Sequence, residues 1–168
     1  MRYFLAALIF WISQTVSVWA EEWGFYYGPD AGEHALLSYI ETSSGPNIVR
    51  IQPYGEEGSV ALLTTLDTFE TGGKMLESLE QGTNVVFDVW FGETRYERTV
   101  EPENYVWKNF PNDNKVFIQF LMVWDDFVAM TEGKALFLNV GSIQNRFGLT
   151  NAEEGIQELF QVLREELG

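Results

Sequence analysis

Between Trp23 and Thr150 apolar residues recur at every second position in short runs, and most runs are followed by Gly, Pro, Asn, Asp or Ser. Alternate residues of a strand share a face, so this rhythm describes short, half-buried strands joined by turns. The runs read "WGFYYG", "HALLSYIET", "IVRIQPY", "SVALLTTLDTF", "TNVVFDVWF", "RYERTVEPENYVW" and "VFIQFLMVW", then a hairpin of "ALFLNVGSI" and "NRFGLT". The first four are separated by "PDAGE", "SSGPN" and "GEEG", which are turn compositions. Near-regular spacing of this kind points to antiparallel pairing.

Details within the runs refine the picture. In "TNVVFDVWF", Val85, Phe87, Val89 and Phe91 share one face, and Val86, Asp88 and Trp90 the other. Pro102 cannot donate to a ladder, so the segment around it belongs at a sheet edge. "VFIQFLMVW" is apolar on both faces, which places it mid-sheet with both sides covered.

Three stretches carry helical spacing. Met75, Leu76 and Leu79 predict a short helix ending near Gly82, and "DDFVAMTEG" allows two turns between Asp125 and Gly133. "TNAEEGIQELFQVLREELG" is the clearest helix. Thr150 and Glu153 have capping-box spacing, and Ile156, Leu159, Phe160, Leu163 and Leu167 form one apolar stripe. That stripe needs an apolar surface to cover. The expected fold is α+β and mostly β: antiparallel sheets or a β-sandwich-like arrangement, with this C-terminal amphipathic helix packed on one face.

The amino terminus has a different character. Arg2 is the only charge before Glu21, followed by "YFLAALIFWI", polar Ser13, Gln14 and Thr15, and then "VSVWA". This is the pattern of a signal peptide, with Val18 and Ala20 at the −3 and −1 positions of cleavage. Its apolar core is shorter than the ~20 residues of a membrane span. Residues 1–20 are expected to be removed, leaving 21–168 as a single β-rich domain in the periplasm or secreted.

Composition limits the chemistry. A chain of this length buries enough surface to fold without cross-links, and Cys is absent. An export signal without disulfides fits a bacterial periplasm better than a eukaryotic secretory route. No N-x-[ST] acceptor occurs. Without Arg2 the chain has nine basic and 25 acidic residues, a net charge of −16. Nucleic acid and anionic lipid are therefore disfavoured, and cationic partners are attracted. No transmembrane span is expected in residues 21–168.

His34 is the only histidine, and no G-x-S-x-G surrounds a serine. A half-exposed histidine at a strand end is the expected reading. One His and no Cys do not make a zinc site, and "ETGGK" and "TEGK" lack P-loop spacing. "PNDNK" lacks the calcium-loop pattern and reads as a turn. No catalytic residue, cofactor or metal is assigned. Of the adjacent acid pairs, Asp125–Asp126 follows a buried strand directly. N-capping of the short helix is its expected role, and partner contact or acid chemistry the alternative. Trp23, Phe25 and Tyr27 alternate on one face of the first strand. They are expected to face the core, with stacking of a sugar or peptide as the alternative. These five residues are the candidate contact set.

The stretch from Lys115 to Leu167 has a recognisable outline. "VFIQFLMVW" leads to a short helix, then "GKALFLNV", then "NRFGLTNAEEGIQELFQVLREEL", a strand ending in an aromatic and Leu before a terminal helix. It resembles the C-terminal half of the invasion-associated locus B proteins and related small periplasmic proteins, including a type VI secretion accessory group. The resemblance implies a periplasmic β-sandwich-like domain with no established catalytic site, and it transfers no functional residue. The sequence thus favours an exported, non-enzymatic envelope protein that docks a cationic protein, of the inhibitor or immunity type. An accessory component of envelope or secretion machinery is the alternative, and a carboxylate-based glycan hydrolase a third reading.

Overall fold

A computed structural model describes residues 22–28, 34–54 and 59–167. The segment 1–20, expected to be a signal peptide, and the turns "PDAGE" and "GEEG" lie outside the described residues.

Among the described residues ten strands form two antiparallel sheets. The first comprises β1 (Gly24–Tyr26), β2 (Ala35–Ile40), β3 (Asn47–Tyr54), β4 (Ser59–Asp67), β7 (Tyr105–Phe110) and β8 (Lys115–Leu121), in the order β1-β2-β3-β4-β8-β7. The second comprises β5 (Val85–Trp90), β6 (Arg95–Val100), β9 (Ala135–Val140) and β10 (Ile143–Gly148), in the order β10-β9-β5-β6. The described residues also form the helices α1 (Lys74–Glu80), α2 (Trp124–Glu132) and α3 (Ala152–Leu167). The mostly β, antiparallel fold with a C-terminal helix on the sheets is the one the alternation dictates.

One core joins both sheets. Val49, Ile51, Leu62, Leu66, Val116 and Ile118 of the first sheet are fully buried, as are Phe87, Val89, Leu136 and Val140 of the second. The rings of Phe87 and Phe120 meet across the layers with centroids 6.3 Å apart. In β5 the face carrying Val85, Phe87 and Val89 turns inward, as its alternation requires.

Helix α3 buries Ile156, Leu159 and Leu163 against β1, β2 and α2. Its approach is close: a Cβ on Gly155 would stand 2.2 Å from Leu36 Cδ1. The helix does not begin at a Thr150–Glu153 box. Thr150 bridges Glu22, and its carbonyl accepts the Trp23 N–H at 2.9 Å. Asn151 turns the chain at φ 60°, and the Glu153 carboxylate accepts from the Gln157 side chain. Thr150 thus pairs through its backbone with the residues just ahead of β1, and α3 starts only at Ala152.

β6 and β7 are sheet edges flanking a short 3₁₀ turn at Pro102–Asn104, as Pro102 indicated. β8 departs from expectation in one respect. It lies inside the first sheet between β4 and β7, but only Val116, Ile118 and Phe120 reach the core. Its other face carries Phe117 half-buried and Leu121 exposed.

Candidate functional site

The most apolar run after the amino terminus, Lys115–Trp124, ends at the surface. β8 alternates into the core up to Phe120, and Met122 is still buried. Leu121, Val123 and Trp124 are 49%, 45% and 65% exposed, and Val128 adds a fourth exposed apolar side chain. An exposed tryptophan within such a cluster marks a contact surface more often than a packing accident.

The start of α2 explains why these residues point outward. Val123 is extended at φ −109°, ψ 163°. Its N–H donates to Asp126 Oδ2 at 3.0 Å, which satisfies one donor at the helix start. Acidic Asp125 and Asp126 in the first turn also suit the positive end of the helix. With Asp126, Phe127, Ala129 and Met130 turned inward, Trp124, Asp125 and Val128 are left outside.

Asp126 is fully buried and closely held. Arg98 donates to it from Nε at 2.9 Å and Nη2 at 2.7 Å, and the Tyr96 hydroxyl donates at 3.0 Å. Arg98 Nη2 also donates to the Leu121 carbonyl at 3.1 Å, and the guanidinium lies 5.4 Å from the Phe120 ring centroid. β6 of the second sheet thus fixes the β8–α2 corner of the first. Burial, together with the Asp126 charge and hydrogen bond, pushes the Tyr96 hydroxyl up to about 12.

Hollows flank the ridge. An open groove of about 1040 Å³ lies between α2 and α3, lined by Trp124, Phe127, Val128, Gln157, Phe160 and Gln161 among others. Phe160 forms its floor with Trp124 and Phe127, at centroid distances of 5.4 and 5.0 Å. On the other flank of α2, a hollow of about 280 Å³ is lined by Phe91, Tyr96, Val128 and Ala129, with Asp125 and Glu132 among its walls. A third, of about 480 Å³, sits between the β6 and β7 edges and includes Leu121, Val123 and Glu103. The ridge is apolar at its crest and carries exposed carboxylates at Asp125 and Glu132.

The candidate contact residues fall into two groups. Trp23 is buried, and its Nε1–H donates to the Gly148 carbonyl at 2.7 Å, so it is a packing residue rather than a contact. Phe25 is half-buried. Tyr27, just beyond β1, is 61% exposed and donates to the Glu158 carboxylate of α3. The shared inward face holds at Trp23 and is lost by Tyr27, because β1 is only three residues long. Asp126 is inaccessible to a partner, and Asp125 remains exposed. With Arg98, Tyr96 and Val123 occupying the Asp126 carboxylate, Asp125–Asp126 does not present two facing acids.

His34 is half-buried ahead of β2 and accepts the Gly28 N–H on Nδ1 at 3.0 Å. Among the described residues no group of three or more His, Cys, Asp or Glu is placed to hold a metal ion, and no helix is long and apolar enough to cross a membrane.

The sequence reading misses Val123 and Trp124 because it gives the whole run to Trp124 to a buried strand, and Val128 because two helical turns alone do not say which side faces out. The alternation carries no warning: Trp124 keeps the parity of Val116, Ile118, Phe120 and Met122, and leaves the core only because α2 begins there. The chain matches no protein-family model, no curated protein and no solved structure.

Proposed function

We propose that this chain is an exported, non-enzymatic binding protein of a bacterial envelope that docks a cationic protein partner through the α2 ridge. The observation that carries the reading is Trp124, exposed beside an aromatic groove and followed by exposed Asp125. A tryptophan crest supplies desolvation energy at the centre of a contact, and carboxylates at its flank select a basic partner and speed encounter. The amino-terminal export pattern and the excess of acidic over basic residues support the setting and the sign of the partner. An inhibitor or immunity protein acts in this way. The resemblance of 115–167 to the invasion-associated locus B proteins agrees with an envelope location.

A second reading is an accessory component of envelope or secretion machinery, contacted through a strand edge. One observation favours it. β1 has three residues and β6 carries Arg95, Glu97 and Arg98, whereas the other two edges, β7 and β10, each offer six residues with a single charge, Lys108 and Arg146. Edges are normally protected by shortness or charge.

Capture from envelope extract at low and high salt separates the readings. The first expects a basic protein, released by salt and lost from Asp125→Ser/Glu132→Ser. Salt-resistant capture that survives this double substitution favours contact through a strand edge. If low salt retains no basic protein, the first reading fails.

A further inference from the structure

Glu132 sits where helix physics disfavours it. It is the last residue of α2, at the end where unpaired carbonyls gather negative charge, and α2 has no basic residue in its last turn to offset it. The side chain is exposed and has no ion-pair or hydrogen-bond partner among the described residues. Lys134, two residues on, forms no ion pair with it. Asp125 has a local reason to be acidic, since it lies in the first turn at the positive end of the helix. A carboxylate kept only for solubility has no reason to occupy the end that opposes it.

The hollow of about 280 Å³ that Glu132 borders supplies what an organic cation needs. Val128 and Ala129 line it from α2, and Phe91 and Tyr96 from the β5–β6 hairpin. Asp125 lines it too, seven residues before Glu132, which is two turns along one face of α2 and about 10 Å along its axis. The chain does not fill this slot with a cation of its own. No basic residue lines it among the described residues, and on the neighbouring β6 Arg98 is held by Asp126 and Arg95 by Glu97. Apolar walls, two aromatic rings and a carboxylate towards each end suit a basic side chain. Its alkyl stem would lie against Val128 and Ala129, with its charged head held by Glu132, the C-terminal end of α2 and the rings.

We infer that this hollow seats one lysine or arginine side chain of the basic protein that docks on the α2 ridge. The inference rests on the docking reading for its partner and adds the point at which charge is recognised. The crest at Trp124 supplies desolvation, which any apolar partner can use, and the slot on the other flank of α2 discriminates, because a partner without a cation there leaves Glu132 beside apolar surface with nothing to offset it. Glu132 is then held for recognition at a small cost to the helix.

Nuclear magnetic resonance titration with N-acetyl-lysine methylamide and N-acetyl-arginine methylamide tests the slot without the partner, and N-acetyl-norleucine methylamide is the neutral control. The expected result is a saturable shift of the Phe91, Val128 and Ala129 amide signals with at least one of the cations and none with norleucine. Glu132→Gln should weaken that binding by about threefold or more, whereas Glu153→Gln/Glu154→Gln, which removes more charge from exposed positions of α3, should leave it unchanged. Glu132→Gln should also unfold at no lower urea concentration than wild type. Shifts that norleucine reproduces, that spread over the acidic surface, that ignore Glu132→Gln or that never appear would overturn the inference. So would easier unfolding of Glu132→Gln, because the carboxylate would then serve the fold. An empty slot in a protein whose captured partner still needs Trp124 removes this inference alone. A slot that takes the cations in a protein that captures no basic partner at low salt removes the docking reading instead.

Discussion

Arg98 grips Asp126 through two nitrogens, at 2.9 and 2.7 Å, across the boundary between the second sheet and the start of α2. Asp126 is fully buried and the Arg98 side chain is 22% exposed, so the charges are largely withdrawn from water. Removing one partner strands the other. Arg98→Met should cost about 3 kcal/mol in urea unfolding, near the lower end for broken buried pairs. The double variant Arg98→Met/Asp126→Leu should be less destabilised than Arg98→Met alone, because no unpaired buried charge remains. Equal or greater loss in the double variant would mean that the pair does more than compensate its own burial.

Tyr96 should titrate late. Its hydroxyl is pushed up to about 12 by burial and by Asp126, above its ordinary value of 10.0. The folded protein therefore holds this proton more tightly than the unfolded chain. The associated stability is complete below about pH 10 and is lost as pH rises through 12. Ultraviolet titration of tyrosinate should show a late component that disappears in Tyr96→Phe. Tyr105, raised by burial, contributes a second late component that remains in that variant.

Asp67 has the opposite sign. Burial pushes its carboxyl up, but hydrogen bonds from Thr42, the Glu70 and Phe69 N–H groups and Ser44 together bring it below the usual carboxylate range. Its stabilisation is present above the unfolded value near 4 and is lost as pH falls through the lowered folded value. The stability difference between wild type and Asp67→Asn should be constant near neutrality and shrink in acid. A difference that grows in acid would contradict the assignment.

Gly133 closes α2 against the second sheet. A Cβ there would lie 2.3 Å from Val89 Cγ1 and 2.9 Å from the Ala129 carbonyl oxygen. The carbonyl belongs to the helix's last bonded turn and cannot rotate aside. Gly133→Ala should destabilise by about 1–3 kcal/mol, as overpacking does. Thermal unfolding would show it.

Local rules carried most of the fold. Alternation in "TNVVFDVWF" gave the inward face of β5, and Pro102 marked the β6 and β7 edges. The stripe from Ile156 to Leu163 gave the buried side of α3. Long-range pairing was not legible: nothing near Asp126 names Arg98, 28 residues earlier, as the partner that buries it. The ridge was hidden for a related reason. Apolarity alone does not tell a strand that remains inside from one whose last residues emerge, and Trp124 is such a residue. Likewise, the two-sided apolarity of β8 pointed to cover on both sides, whereas on its outer face Phe117 is half-buried and Leu121 exposed.

Binding of the basic protein captured from the envelope, measured by calorimetry against wild type and Trp124→Ala, tests the docking claim most directly. The account predicts at least about a thirtyfold weakening in Trp124→Ala, the loss of ~2 kcal/mol that defines an interface hot spot. It also predicts weaker binding as salt is raised. Unchanged affinity in Trp124→Ala, with that variant folded as wild type, would contradict it and move the contact away from α2.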